Sequence, residues 1–257
     1  MSDEANKISY SRLAPVRGLF ADGLPILTYH HVGPRSNGVK WRSLYVSPRL
    51  FARQMAELAA ADFRTTSLDA PRPVAGNPER RFVVTFDDGY VDTLEHAAPI
   101  LARHGFTAIQ YLVADRIGGR NEWDVAEGER PSDLMNDTQV REWLAAGHAI
   151  GSHTCTHPRL TRLAPAAQRE ELRVSRLRLE DRFGVRVNHF CFPYGDANEA
   201  LTPLLEEVGY ATACLHLQSG VNLASTPPYA LRRLEARYPK RSLRTLWHYL
   251  RSVVAGH

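Results

Sequence analysis

Cysteine is scarce in this chain: Cys155, Cys191 and Cys214 are the only three in 257 residues. No two of them form a Cys-x-x-Cys pair, which excludes a zinc ribbon. The odd count argues against a disulfide framework and for a reducing compartment. Long apolar runs are missing too. No stretch approaches the roughly 20 apolar residues that a membrane span needs. The opening MSDEANKISYSRLAPVRG carries acids at once and has no apolar core of a secretory signal. The expectation is a cytoplasmic protein with no transmembrane segment. Concentrated charge of one sign is lacking as well. Thirty-two Lys and Arg against 28 Asp and Glu leave a net charge of only +4. The densest basic stretch, residues 232–251, is broken by Leu, Tyr, Trp and Pro. Nucleic acid is therefore not the expected partner, because its recognition needs a basic stripe. Peripheral attraction to an anionic membrane surface stays compatible with the charge. Internal repeats and low-complexity segments are absent.

What is present is a regular alternation of short apolar runs and helical patterns. LPILTY at 24–29, RFVVTF at 81–86, TAIQYLV at 107–113, HAIGS at 148–152, residues 189–192 and residues 210–214 read as buried strands. Between them, Ser47-Pro48 supplies an N-cap and a first-turn proline for a helix carrying Leu50, Phe51, Met55 and Leu58. Helices are further expected over 94–103, 138–146, 165–183 and 201–208, with Gly105, Gly147 and Gly184 as stops. A last amphipathic helix is expected over 242–254, with Leu243, Leu246, Trp247 and Leu250 on one face. Such alternation predicts an α/β fold, a parallel sheet covered by helices, and the strand number suggests a barrel of about seven strands. The length suits a single domain, with residues 1–23 as an N-terminal extension and 24–257 as the domain proper.

In α/β barrels reactive groups sit at the C-terminal ends of strands. Unusual polar residues cluster there in this chain. His30-His31 follows LPILTY, Asp87-Asp88-Gly89 follows RFVVTF, His153 follows HAIGS, and Pro193-Tyr194-Gly195 ends the strand at 189–192. Two adjacent carboxylates beyond an apolar strand repel each other and lose water, a cost that a cation relieves. Strand alternation lets one Asp bind metal while its neighbour faces substrate. His153 and His157, four residues apart, can converge on one ion. Two His and one carboxylate form an open catalytic site that leaves room for water. Cys155, between them, reads as a packing residue. The Pro-Tyr-Gly turn can aim backbone N–H groups at a developing oxyanion. A histidine at the first strand end can donate a proton to a leaving amine. The irregular stretch 114–136 follows another strand on the same face and reads as a substrate wall.

TFDDGY, SHTCTHP and FCFPYGD, in that order and spacing, resemble the motifs of the polysaccharide deacetylases, the NodB-homology carbohydrate esterases. The resemblance runs from about residue 24 to 236. It implies a distorted (β/α) barrel and one divalent metal, zinc first, with cobalt, nickel and manganese as alternatives. It further implies Asp87 as general base, Asp88, His153 and His157 as metal ligands, and the Tyr194 N–H as oxyanion donor. The substrate implied is an N-acetylated sugar in a polysaccharide, oligosaccharide or glycan precursor, contacted by Tyr90, Pro193 and Arg233.

Two departures from the family pattern stand out. An arginine that orients the catalytic Asp is expected two positions before the Pro, where this chain has Cys191. The late Leu-x-His motif that supplies the general acid is not evident, and LPILTYHHV resembles that motif moved to the front. This arrangement is similar to the poly-N-acetylglucosamine deacetylase subgroup, and it implies His30 as acid, with His216 as second choice. GVNLAS and YALRRLE also resemble that subgroup, so Arg232 or Arg233 is expected to replace the missing arginine. Two other readings remain open: an inactive carbohydrate-binding protein on the same fold, and a metal amidase acting on a non-carbohydrate amide.

Overall fold

The structure is a computed structural model that describes residues 8–35, 39–215 and 219–238. The helix expected over 242–254 lies outside the described residues.

Among the described residues the sheet has nine strands: Arg64–Thr65, which pairs in parallel with Arg81–Phe86, Val221–Asn222, which pairs antiparallel with Leu24–Tyr29, and the seven parallel strands of its body, β1 Leu24–Tyr29, β2 Arg81–Phe86, β3 Ile109–Leu112, β4 Ala149–Ser152, β5 His189–Cys191, β6 Thr212–Cys214 and β7 Leu234–Glu235. They pair in the order β7-β1-β2-β3-β4-β5-β6. Leu27 pairs with Leu234 at one edge, while Leu231, just before β7, bridges in parallel to Cys214 at the other. The 231–235 segment therefore touches both edges of the curled sheet. Helices Pro48–Ala60, Ala98–Arg103, Asp137–Ala145, Pro165–Phe183 and Thr202–Val208 connect successive strands. Among the described residues no helix is long and apolar enough to cross a membrane.

Strand period 2 sorts the side chains into two layers. Leu24, Ile26, Val83, Ile109, Tyr111, Cys191, Cys214 and Leu231 form an inner cluster with Leu68. The alternate residues, Leu27, Tyr29, Phe82, Val84, Phe86, Leu112 and Phe190, join the larger core beneath the helices. Gly151 on β4 makes room for this interior, because a Cβ there would lie 2.5 Å from the Tyr111 ring.

The Pro165–Phe183 helix shows how the outer layer is held. Gln168, Leu172, Ser175, Leu179 and Phe183 are its buried stripe, at helical spacing. Each large apolar member contributes about 1.5–3 kcal/mol on burial. Gly184 ends it in the left-handed conformation that the sequence predicts. One helix departs from expectation. The segment expected to start at 94 begins as a π turn over Thr93–Ala97 and becomes α only at Ala98. Pro99 has no N–H to return to the preceding turn, and the wider turn absorbs that loss. Residues 8–22, expected as an extension, pack on the barrel: Tyr10 pairs with Ala236 and Phe20 is buried.

Candidate active site

Parallel pairing in register puts the ends of β1, β2, β4 and β5 on one face. His30, Asp87, Asp88, His153, His157 and Tyr194 gather there. The local backbone is unusual. Six described residues other than glycine have left-handed φ; three of them, Asp88, His157 and Tyr194, belong to this cluster, and a fourth, Thr154, follows His153. Such conformations cost on the order of 1–3 kcal/mol each and persist where surrounding structure holds them.

Asp87 continues the inward series Val83, Thr85. It therefore points into the barrel and is only 2% exposed. There it meets Arg233, also 2% exposed. Nη1 donates to Asp87 Oδ1 and Nη2 to Oδ2, each at 2.8 Å, and Nη2 lies 3.1 Å from Cys191 Sγ. Burial alone would raise the Asp87 carboxyl, but the Arg233 guanidinium outweighs it and holds Asp87 well below the usual carboxylate range. His30 Nε2 stands 3.7 Å from Asp87 Oδ2.

Asp88, at φ 76°, turns away from its neighbour toward the histidines. Its Oδ1 lies 3.4 Å from His153 Nε2 and 3.3 Å from His157 Nε2. His153 Nδ1 lies 2.8 Å from the Cys191 carbonyl. A carbonyl only accepts, so Nδ1 carries a hydrogen, and in the neutral imidazole Nε2 bears the lone pair. Two acceptors, Nε2 and a carboxylate oxygen, thus face each other in a buried site. A cation between them removes the conflict. The spacing fits as well: four ligands at 2.0–2.1 Å in a tetrahedron stand about 3.3 Å apart. Burial lowers the His157 pKa to about 4, with Asp88 opposing the shift, so the imidazole is neutral at neutral pH, the form that ligates. His157 Nδ1 is buried without a hydrogen-bond partner among the described residues. A second trio, Asp87, His153 and Cys191, also brings potential ligand atoms together. The Arg233 guanidinium already lies on Asp87 there, and His153 Nδ1 is committed to the Cys191 carbonyl. Asp88, His153 and His157 are the trio that fits a metal.

The third wall comes from Pro193-Tyr194-Gly195. Asp196 anchors this turn by accepting from Thr161 N and Oγ1 at 2.8 Å. The Tyr194 hydroxyl donates to Asp124 at 3.4 Å, and the Arg159 guanidinium lies 4.1 Å over its ring. Burial, with Asp124 and Asp88 nearby, raises the Tyr194 hydroxyl above its ordinary range. Trp123, from the 114–136 stretch, stacks on His157 with ring centroids 4.4 Å apart.

Three residues expected at the substrate are buried. Tyr90 is 1% exposed; its ring lies on His31 and its hydroxyl accepts from Asn121. Pro193 is buried in its turn. Arg233 grips Asp87, while Arg232 is exposed and its N–H donates to Asn222. The alternation of Leu231 and Arg233 as inward residues was the available signal. His31 does not join the cluster: its Nδ1 lies 2.7 Å from Asp92 and its ring stacks between Tyr45 and Tyr90. His216 lies outside the described residues.

Residues 75–213 match the family model described as polysaccharide deacetylase. YxkH of Bacillus subtilis is 28% identical over 219 residues, covering 84% of this chain and 68% of YxkH. Among solved structures, the Streptococcus pyogenes deacetylase PplD in complex with acetate superimposes with a TM-score of 0.70 at 20% identity. It covers 88% of this chain and 97% of PplD. IcaB from Ammonifex degensii gives a TM-score of 0.68 at 24% identity, over 83% of this chain and 91% of IcaB. These two likenesses are of fold: both share the curled parallel barrel. The family match spans the Asp pair, the His pair and the Pro-Tyr-Gly turn, and it leaves His30 and Arg233 outside.

Proposed function

This chain belongs to the polysaccharide deacetylase family, and from that premise we propose that it is a metal-dependent hydrolase that removes the N-acetyl group from an N-acetylated amino sugar. The substrate is a polysaccharide, an oligosaccharide or a glycan precursor, and the products are acetate and a free amine. The observation that carries the reading is the division of labour between adjacent carboxylates. Asp88 faces two imidazole nitrogens at 3.3–3.4 Å, while both oxygens of Asp87 accept from Arg233.

Asp88, His153 and His157 would hold one divalent cation, zinc first. Such an ion polarises a carbonyl and makes a bound water acidic near neutral pH. The remaining steps belong to the protein. Asp87 stays deprotonated under Arg233, and each of its oxygens keeps a lone pair beyond the one Arg233 occupies. It accepts a proton from the water that attacks the acetyl carbon. The Tyr194 N–H, in its left-handed turn, donates to the oxygen on which charge develops. His30 gives a proton to the departing nitrogen as the C–N bond breaks. The acetate held by PplD is the product such a reaction releases.

The test measures acetate release by metal-loaded protein from chito-oligosaccharides and from lipid-linked and nucleotide-linked N-acetyl sugars. Acetate from any of these panels supports the reading and names the acceptor. Hydrolysis of simple amides with none of the sugars would overturn it in favour of a general amidase.

A further inference from the structure

Between the two histidines runs Thr154-Cys155-Thr156, without regular secondary structure. Thr154 and His157 both have left-handed φ, at 70° and 65°. Positive φ is uncommon outside glycine, and the β-branched Thr154 is an outlier there, so contacts from outside the segment must hold its path. The outward-facing donors of the loop converge on one side chain from the Pro165–Phe183 helix. Glu171 Oε2 accepts from Cys155 N at 2.7 Å and from Thr156 N at 3.1 Å, and Oε1 accepts from Thr156 Oγ1 at 2.6 Å. One turn further along, Ser175 Oγ lies 2.8 Å from Ser152 Oγ, which in turn accepts from Thr154 N. Inside the loop, His157 N donates to Thr154 Oγ1 at 3.0 Å. The same helix thus holds the strand end before His153 and the peptide groups before His157.

We propose that Glu171 is a positioning residue: its carboxylate fixes the 154–156 segment so that His153 and His157 present their Nε2 atoms to Asp88 before any ion arrives. The proposal rests on the reading of Asp88, His153 and His157 as metal ligands. Glu171 touches none of the ligand atoms. It acts by holding peptide groups, and a charged acceptor makes those bonds shorter and stronger than a neutral one would. Without it, Cys155 N and Thr156 N lose their acceptor, the left-handed residues relax, and the imidazoles lose their common focus. The ion then pays the ordering cost on binding, which appears as weaker affinity. The sequence contains no local signal for this, because Glu171 is one of several acids on a highly charged helix.

The test uses the full chain stripped with a chelator and titrated with cobalt(II), followed by its visible absorption. The melting temperature of each metal-free variant is measured beside it. Glu171→Ala should weaken cobalt binding by about tenfold or more and alter the absorption band that reports ligand geometry. Glu171→Asp keeps the charge but withdraws it by one methylene, and it should shift affinity in the same direction. Glu171→Gln should restore most of the affinity, because its carbonyl oxygen can still accept both N–H groups. A merely structural role would lower the melting temperature and leave the affinity and the band of the folded protein as in the parent. That outcome for Glu171→Ala and Glu171→Asp overturns the proposal, and if the Ala variant fails to fold the Asp variant decides alone. His157→Ala is the separate control. If it binds cobalt as the parent does, the ligand assignment itself fails, whatever the Glu171 variants do.

Discussion

Arg233 grips Asp87 through two parallel hydrogen bonds of 2.8 Å although 146 positions separate them in the chain. Both side chains point into the barrel, and Cys191 Sγ lies beside them at 3.1 Å from Nη2. Position 191 is where the family pattern expects an arginine. Here the guanidinium on Asp87 comes from the residue just before β7 and lies against the Cys191 thiol. The pair is buried on both sides, and its geometry satisfies both carboxylate oxygens at once.

Arg233→Ala leaves a buried carboxylate without its partner. It should cost about 3–5 kcal/mol of stability and abolish turnover. Arg233→Lys keeps the charge but loses the fork, so it should fold better than the alanine variant and still turn over slowly. Thermal denaturation read beside acetate release tests both. Parent-like turnover in Arg233→Lys would mean that the bidentate grip does not matter to the base.

The two aspartates should separate cleanly. Asp87→Asn should retain metal and lose about 100- to 10,000-fold in kcat, the usual contribution of general acid–base catalysis. Asp88→Asn and His157→Ala should lose the metal itself. Elemental analysis of protein purified without chelator, read beside acetate release, distinguishes the two classes. Chelation of the parent should abolish activity, and added zinc should restore it.

His30 and His31 are neighbours with different surroundings. His30 lies 3.7 Å from Asp87, while His31 is buried between two tyrosine rings and bonded to Asp92. His30→Gln should lower kcat with metal content and melting temperature unchanged. His31→Gln should lower the melting temperature first. Steady-state kinetics beside thermal melts would expose a reversal of these roles.

His148 offers a pH-dependent test of the fold away from the site. It is buried against Trp143 and accepts from Ala108 N, and burial lowers its pKa from 6.5 to about 4. The folded state thus binds fewer protons than the unfolded state between those values. Its contribution is fully present above pH 6.5 and is lost as pH falls toward 4, with a slope of at most about 1.4 kcal/mol per pH unit. Urea denaturation of chelated protein at several pH values should show this slope in the parent. The slope should be shallower in His148→Gln, and taking the difference removes the effect of the other histidines.

Gly151→Ala should destabilise the barrel by about 1–3 kcal/mol, the usual cost of overpacking. The added methyl would meet the Tyr111 ring at 2.5 Å and the His189 carbonyl at 2.9 Å, and the carbonyl is backbone that cannot swing away. A melting temperature equal to the parent's would refute this account of the interior.

The alternation of strands and helices was legible in the sequence because each element carries its own period. LPILTY and RFVVTF form strands over the expected residues, and the 165–183 helix runs its full length to Gly184. Shorter strands were overestimated at their ends. TAIQYLV pairs only over Ile109–Leu112 and the 210–214 run only over Thr212–Cys214, since strand ends depend on how far a neighbour extends. The π turn at Thr93 was not legible, because Pro99 acts through the turn before it.

The sequence by itself determined which strand ends bear the clustered polar residues: Asp87-Asp88, His153, His157 and Tyr194 lie next to the apolar runs that position them. Adjacent positions encode such facts, through periods of 2 and 3.6 and through the turn residues that follow. Only the tertiary structure decided between Arg232 and Arg233 as the partner of Asp87, separated the surroundings of His30 from those of His31, and joined Glu171 to the loop between the histidines. Those relationships link segments many tens of residues apart. They depend on strand order, on which face of each strand points into the barrel, and on the packing of a helix against a loop, and no local pattern records any of these.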